Sequence, residues 1–357
     1  GWRGSGVSTG STLLGVVAGV GALAAAVTFL ASYDHLVDQP ARYGWTFDAV
    51  AGQIYEDDPG DLFETLAAAD SGVEAFARAG GLPVSVEGRR IGVLGIEPGR
   101  GITVPILDGR APAGPREVAL GRRTLEELGM SVGDVVSFDG SGDPLELTIT
   151  GTAVLPEINQ GTGLGEGAVM PLETLGELVP GEQPNVALVR FAPGGEGSPA
   201  VAKLRFDGAL LPPVLPDALY DIERVRTLPT ILAALLGFLG LATLVHSLVS
   251  LVRSHRRDLA VLKTLGFTRY QVAATTAWQS TVFVAVALVV GVPLGIAAGR
   301  WFWQRIADEL GVVSAPSVPA LTILALVPSA VVIANLAAAI PGWLAARIRP
   351  AEALRAE

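Results

Sequence analysis

The sequence predicts a membrane protein with four transmembrane α-helices and a large α+β extracytoplasmic domain between the first and the second of them. Half of the 357 residues are hydrophobic and the mean hydropathy is +0.48, which is high for a soluble globular protein. Four stretches contain no Asp, Glu, Lys or Arg, namely 4–33, 227–252, 270–299 and 310–346. Each stretch is longer than the roughly 20 residues that a helix needs to cross a bilayer.

The first span is predicted at residues 11–32. Its apolar run is longer than the core of a cleaved signal peptide, which has roughly 7–15 residues, so we expect a retained helix. Gly15 and Gly19 are four residues apart and could line one face for close helix packing. Alternatively, these two glycines have no packing role and are simply tolerated in a lipid-exposed helix. The two interpretations are equally favoured. The chain begins with Gly rather than Met, which indicates a piece of a longer polypeptide.

The segment 33–226 mixes helix and strand patterns. Short helices are predicted at 61–69 and 122–128, and β-rich runs bounded by Gly, Pro or Asp predict strands at 90–96, 134–138, 145–154 and 186–191. This mixed order favours an α+β domain over a parallel α/β sheet. The chain has no cysteine, which excludes disulfides, and a domain of this size can bury a sufficient core without them. The charged segment 218–226 predicts a helical stalk that leads into the second span.

The other spans are predicted at residues 228–252, 272–298 and 319–345. In the third span, Gly291, Gly295 and Gly299 are spaced by four residues and predict a smooth face for helix packing, while Pro293 predicts a kink. The alternative is that Gly and Pro are simply common in membrane helices. The aromatic and charged segment 300–311 is expected to lie at the outer membrane surface.

Three polar residues, His246, Gln279 and Asn335, interrupt the apolar runs. Because a polar group in lipid needs a partner, we expect all three to face other helices. They could line a path through the membrane or form structural hydrogen bonds between helices, and the second interpretation is favoured.

Charge predicts the orientation. The loop 253–271 holds five basic residues and one acidic residue, and the C-terminal tail adds Arg347, Arg349 and Arg355. The positive-inside rule places the loop and both termini in the cytoplasm. The segment 33–226 then lies outside, where its 30 acidic and 14 basic residues argue against nucleic acid binding.

The predicted organisation follows from these spans and charges. It comprises a cytoplasmic start with the first helix (1–32), the extracytoplasmic domain (33–226), the second helix (227–252), a cytoplasmic loop helix (253–271), the third and fourth helices (272–346) and a cytoplasmic tail (347–357).

No catalytic pattern stands out. The three histidines, His35, His246 and His255, are not spaced for a metal site on a helix. Residues 6–10 match the letters of a hydrolase nucleophile turn, but they run into a membrane helix rather than follow a strand. Neither Lys203 nor Lys263 ends a phosphate-binding loop. The chain is therefore expected to be non-catalytic, with no metal or cofactor of its own.

The loop 253–271 carries the most specific pattern. Leu259, Leu262 and Leu265 recur at helical spacing, and Gly266 follows as a helix stop. Thr268 and Gln271 have the spacing of a capping box that starts a new helix. The residues alone leave open whether this short amphipathic helix binds a partner or lies on the membrane surface with its arginines extended to water.

This loop resembles the signature of the FtsX/MacB-type permease family of ABC transporters. The matching residues are Arg256, Arg257, Asp258, Leu259, Ala260, Val261, Leu262, Lys263, Leu265, Gly266, Thr268 and Gln271, and His255 departs from the pattern. The tail is similar to the closing signature of the family at Arg349, Pro350, Glu352, Leu354 and Arg355. Segments 117–121 and 128–134 resemble the extracytoplasmic domains of the family.

The resemblance implies a permease subunit that couples ATP hydrolysis by a separate ATPase dimer to movement of the extracytoplasmic domain. ATP and Mg would bind the partner, and movement would pass through the first and second spans. The residues implied in ATPase docking are Arg256, Arg257, Asp258, Leu259, Leu262, Lys263, Leu265 and Gly266.

The resemblance also implies a second four-span unit, supplied by a homodimer or a fused half, and the missing Met suits the second half of a fused permease. The output would be export or extraction of a substrate from the cell membrane. The alternative is a mechanotransmission protein that activates an extracytoplasmic cell-wall enzyme without transport.

Overall fold

A computed structural model describes residues 6–52, 60–68, 72–99, 101–157, 163–254 and 268–346. The chain divides into two compact units. One comprises residues 1–33, 225–303 and 316–357, and the other comprises residues 34–224 and 304–315. The described α-helices are α1 (Gly6–Val37), α2 (Leu62–Ala67), α3 (Arg122–Leu128), α4 (Leu172–Leu178), α5 (Pro199–Phe206), α6 (Asp217–Val225), α7 (Thr227–Ser254), α8 (Arg269–Leu310) and α9 (Ala320–Ala346).

Four of these helices, α1, α7, α8 and α9, are long and apolar enough to cross a membrane. They coincide with the four predicted spans, because a continuous apolar run can satisfy its backbone in lipid only as a helix. The predicted stalk at 218–226 is α6. The fold class is therefore confirmed as four apolar helices with a mixed domain between the first and the second.

The third apolar helix is longer than predicted. Charges after residue 298 suggested a segment on the membrane surface, but α8 continues to Leu310. It ends where Gly311 adopts a left-handed conformation, with φ +66°. The Gly311 amide donates to the Asp308 carbonyl at 3.2 Å and the Val312 amide donates to the Ala307 carbonyl at 3.1 Å, which is a Schellman motif. The earlier charges do not stop the helix, because charged residues are good helix formers.

The second unit is built on one ten-stranded mixed sheet. Its strands are β1 (Ala49–Gly52), β2 (Val73–Val86), β3 (Arg89–Ile96), β4 (Ile106–Gly109), β5 (Glu117–Gly121), β6 (Val135–Asp139), β7 (Leu145–Ala153), β8 (Ala168–Pro171), β9 (Val186–Phe191) and β10 (Leu210–Leu211). The order is β10-β1-β9-β2-β3-β8-β5-β7-β4, and β6 pairs with β2 and β7. The β3–β8 and β5–β7 pairs are parallel and the others are antiparallel.

The longest strand, β2, is absent from the predictions. Gly80, Gly81 and Pro83 interrupt its apolar pattern, and such residues are usually read as turn signals. Glycine has a packing role in this sheet. A Cβ added to Gly95 on the neighbouring β3 would lie 2.7 Å from the Leu175 side chain of α4. Because Gly95 has no side chain, α4 can lie close to the sheet. Tertiary packing here overrides the low strand propensity of glycine.

The core of this unit lies between the sheet and its helices. Phe138, Leu147 and Ile149 are fully buried, and Leu125 of α3 and Leu172 of α4 pack against the same cluster. In the first half of β7, buried and exposed residues alternate, which directs Leu147 and Ile149 to one face. Buried cores of this kind can hold the domain without cross-links.

A charged turn precedes β5. The Glu117 carboxylate accepts hydrogen bonds from the Arg110 guanidinium at 2.7 Å, the Ala113 amide at 2.9 Å and the Gly114 amide at 3.1 Å. The Arg110 hydrogen bond, together with the Ala113 amide, lowers the pKa of Glu117 from its ordinary 4.5 to about 2. Because all three donors favour the charged form, Glu117 ties the 110–114 turn to the start of β5.

Glu117→Gln should loosen this turn in a pH-dependent way. The stabilisation from a carboxyl with a depressed pKa is fully present above pH 4.5 and is lost as the pH falls toward 2. Hydrogen exchange of residues 110–121 in the full chain should therefore be faster in the variant at pH 7, and the difference should shrink steadily at acidic pH. Glu146→Gln, at an exposed site on β7, is the control and should match the wild type. A pH-independent difference would contradict the assignment.

Candidate functional site: the packed apolar helices and the loop between two of them

The predicted docking residues lie outside the described residues. They are Arg256, Arg257, Asp258, Leu259, Leu262, Lys263, Leu265 and Gly266, and the tail arginines Arg347, Arg349 and Arg355 lie outside them as well. The structure describes the two borders of this loop, where α7 ends at Ser254 and α8 begins at Arg269.

The second border is a capping box, as predicted. The Thr268 amide donates to the Gln271 side-chain oxygen at 2.8 Å, and the Gln271 amide approaches the Thr268 hydroxyl at 3.4 Å. This reciprocal pair satisfies two amides that the first turn of α8 would otherwise leave without partners. The loop thus has a defined end, and the chain re-enters helix at a specified residue.

The three glycines of α8 face α1. A Cβ added to Gly295 would lie 2.3 Å from the nearest atom of α1, and one added to Gly299 would lie 2.6 Å away. For Gly291 the distance is 2.9 Å. The atoms approached are the backbone oxygens of Gly21, Ala25 and Val17, respectively. The two backbones therefore pass too close for any side chain between them.

Pro293 lies within α8, which continues as a single helix on both sides of it. Proline removes one backbone donor from the helix and its ring crowds the preceding turn. The kink at this position stays a prediction.

A second close approach joins α1 to α7. A Cβ on Gly19 would lie 3.0 Å from the Gly237 Cα, and one on Gly240 would lie 2.7 Å from the Gly15 carbonyl oxygen. The predicted packing face at Gly15 and Gly19 is therefore confirmed. Gly237 and Gly240 are not among the predicted packing residues, although two glycines three residues apart in an apolar helix are a signal for close packing.

Polar side chains join α8 to α9. The Asn335 amide donates to the Thr281 hydroxyl at 3.0 Å, and the Ser280 hydroxyl donates to the Ala334 carbonyl at 3.1 Å. Asn335 therefore acts as a structural bond between helices, in line with the favoured interpretation. Gln279 is half-buried.

The expectation for His246 is wrong. The structure leaves His246 exposed on α7, whereas Leu244 and Leu248 on the same helix are buried. Two residues along a helix correspond to about 200° of rotation, so a residue midway between two buried positions points away from them.

The apolar helices also line an open cavity of about 350 Å³. Its walls come from all four helices and include Val16, Phe238, Val284 and Ile333, and none of the lining residues is titratable. In the part of the chain that the structure describes, no three His, Cys, Asp or Glu side chains are grouped so as to hold a metal ion. These surfaces suit helix packing and apolar contact rather than acid–base chemistry.

Two family models match the chain. The one described as MacB-like periplasmic core domain matches residues 9–205, which cover the first apolar helix and most of the α+β domain. The one described as FtsX-like permease C-terminal matches residues 230–350, which cover the three later apolar helices and the loop between α7 and α8. A search of the curated proteins found no match.

Gly295→Ala should weaken the packing of α8 on α1. The new methyl group would meet backbone rather than a movable side chain, and such overpacking costs about 1–3 kcal/mol. Thermal unfolding of the protein in detergent should therefore shift to lower temperature. Gly10→Ala is the matched control, because nothing lies within 4 Å of its added Cβ and the better helix propensity of Ala should leave the midpoint equal or higher. Equal midpoints for the two variants would contradict the close packing.

Proposed function

Because the chain belongs to the FtsX/MacB-type permease family, we propose that it is the permease subunit of an ABC transporter whose ATP hydrolysis resides in a separate ATPase. The observation that carries this proposal is the joint match of a periplasmic core domain and an FtsX-like C-terminal region on one chain, in that order. Four helices able to span a membrane make it a multi-pass membrane protein.

The loop 253–271 is proposed to receive the ATPase. Its predicted helix presents Leu259, Leu262 and Leu265 on one side and is flanked by basic residues. An apolar stripe of this length suits a groove on a partner protein. The capping box at Thr268 supports the proposal, because it transmits a displacement of the loop directly into the first turn of α8.

The helix contacts support a route for the movement. The proposed docking loop connects α7 and α8, and both helices approach α1 through glycine, at Gly237 and Gly295 among other positions. Displacement of either helix toward α1 would therefore displace α1 as well, because the backbones are already in van der Waals contact and cannot move closer. In chain order, α1 leads into the α+β domain and α6 leads out of it into α7.

The orientation is proposed from charge. The basic loop 253–271 and the basic tail would lie in the cytoplasm with the ATPase, and the acidic α+β domain would lie outside. ATP and Mg²⁺ would bind the partner. Two four-span units would meet one ATPase dimer, either as a homodimer or as two halves of a fused permease. The output would be export or extraction of a substrate.

A second candidate is mechanotransmission to an extracytoplasmic cell-wall enzyme without transport. It is favoured by the wholly apolar lining of the cavity among α1, α7, α8 and α9, which offers no polar path for a hydrophilic substrate. Flux of a labelled compound in reconstituted vesicles would support the first function. ATP-dependent activation of a cell-wall hydrolase without flux would support the second.

Leu262→Asp should abolish ATPase co-purification, because a buried carboxylate in an apolar contact costs several kcal/mol. Membrane insertion should be unchanged, since the residue lies outside the four spans. Thr264→Asp adds the same charge off the predicted apolar stripe and should retain the ATPase. Full ATPase retention and stimulation by the Leu262→Asp variant would rule out the docking role of this face.

Cysteine labelling tests the orientation, because the chain has no native cysteine. Ser141→Cys, at an exposed site in the α+β domain, should react in intact cells with a maleimide that cannot cross the membrane. Thr264→Cys should react only after the membrane is permeabilised. The reverse pattern would overturn the assignment.

A further inference from the structure

A glycine-rich loop at residues 163–167 is anchored on the start of α3. The Arg123 amide donates to the Gly165 carbonyl at 2.8 Å, and the Gly167 amide donates to the Thr124 hydroxyl at 2.9 Å. Arg123 also forms an ion pair with Glu166 at 2.9 Å. Three connections within five residues hold the 163–167 loop firmly against the α+β domain.

The end of α8 rests on the same loop. A Cβ added to Gly165 would lie 2.9 Å from the Leu310 carbonyl oxygen, and one added to Gly311 would lie 2.7 Å from the Gly165 Cα. Beside this contact, the Arg122 guanidinium pairs with the Asp308 carboxylate at 3.0 Å. Two glycine backbones and one ion pair therefore fix the last turn of α8 to the domain, and residues 304–315 group with the domain as one compact unit.

The 163–167 loop is also connected to the start of α6. One carboxylate oxygen of Glu157 accepts from the Leu164 amide at 3.1 Å, and the other accepts from the Asp217 amide at 3.2 Å. Asp217 is the first residue of α6. Glu157 is half-buried, and this burial raises the pKa of its carboxyl above the ordinary value. The carboxylate thus bridges the loop and the stalk helix at a desolvated site.

The order of the helices along the chain connects the 163–167 loop to the proposed docking loop. The last turn of α8 belongs to a helix of 42 residues that begins at the end of the proposed docking loop. After α6 ends at Val225, α7 begins at Thr227 and leads to the other end of that loop. The helix from one end of the proposed docking loop, α8, therefore contacts the 163–167 loop directly. The helix from the other end, α7, is connected to it in chain order through α6 and Glu157.

We propose that the 163–167 loop is the joint through which displacement of α8 passes to the α+β domain and to α6. Gly165 acts as the positioning residue that allows the contact, and Arg122, Asp308 and Glu157 hold it in register. This inference rests on the proposed function and extends it, because the family resemblance implies movement only through the first and second spans.

Gly165→Ala tests the joint, and the chain offers a closely matched control. Gly165 has φ +74° and Gly208 has φ +71°, so an alanine carries the same backbone strain at either position. Only at Gly165 would the added Cβ also meet α8, because nothing lies within 4 Å of a Cβ added to Gly208. A difference between the two variants therefore reports crowding around Gly165, at α8 and at the Arg123 side chain, and not the strained backbone.

The measurement uses the full chain with its ATPase in lipid nanodiscs. Spin labels are placed at Ser141→Cys in the domain and at Leu324→Cys, an exposed position on α9. The distance between the labels is recorded with and without ATP, together with ATPase retention and hydrolysis. In the Gly165→Ala variant, the ATP-dependent distance change should be lost, while ATPase retention and hydrolysis persist. The Gly208→Ala variant should behave as the wild type does.

Charge exchange supplies a second test that remains valid if Gly165→Ala fails to fold. Asp308→Arg places two like charges together and should reduce the distance change. The double variant Arg122→Asp with Asp308→Arg restores opposite charges and should recover it, which a general loss of stability would not produce.

The possible results separate the joint from the proposed function. A wild type that moves with ATP, together with Gly165→Ala equal to Gly208→Ala or an exchange pair without recovery, would overturn the joint and leave the proposed function standing. A wild type that neither retains an ATPase nor responds to ATP would overturn the proposed function, and the joint with it.

Discussion

The close approach of α1 to α7 on one side and to α8 on another is the constraint on which the membrane unit depends. Between helices in lipid there is little hydrophobic driving force, so association rests on van der Waals contact and on interhelical hydrogen bonds. Glycine supplies that contact here, because Gly19, Gly240 and Gly295 bring backbone against backbone where no side chain would fit. The hydrogen bond from Asn335 to Thr281 then fastens α9 to α8.

Because of this packing, the loop between α7 and α8 joins two helices that both contact α1. A partner that displaces the loop acts on two helices that are both packed on α1, so the displacement is shared rather than absorbed in one helix. The capping box at Thr268 and Gln271 gives the start of α8 a definite position, and the Schellman motif at Gly311 gives its far end an equally definite stop. A long helix that is well defined at both ends can transmit displacement along its axis.

Glycine has the same role in the α+β domain. Gly95 lets α4 lie close to the sheet, and Gly165 lets the end of α8 lie on the 163–167 loop. Gly95 leaves room for the Leu175 side chain, whereas at Gly165 backbone meets backbone. The carboxylate of Glu157 adds a polar link from this loop to α6. Contacts of this kind can pass a displacement from one element to the next, as the proposed function requires.

The sequence by itself determined the four apolar helices, the α+β class of the domain between them, and caps such as the one at Thr268. These features depend on composition and on residues close together in the chain, so a local pattern carries them. Only the tertiary structure decided the strand β2, the extension of α8 to Leu310, the exposure of His246, and which glycines meet. Arg122 and Asp308 are 186 positions apart, and no local pattern can pair them, because their contact exists only once the sheet and α8 have assembled.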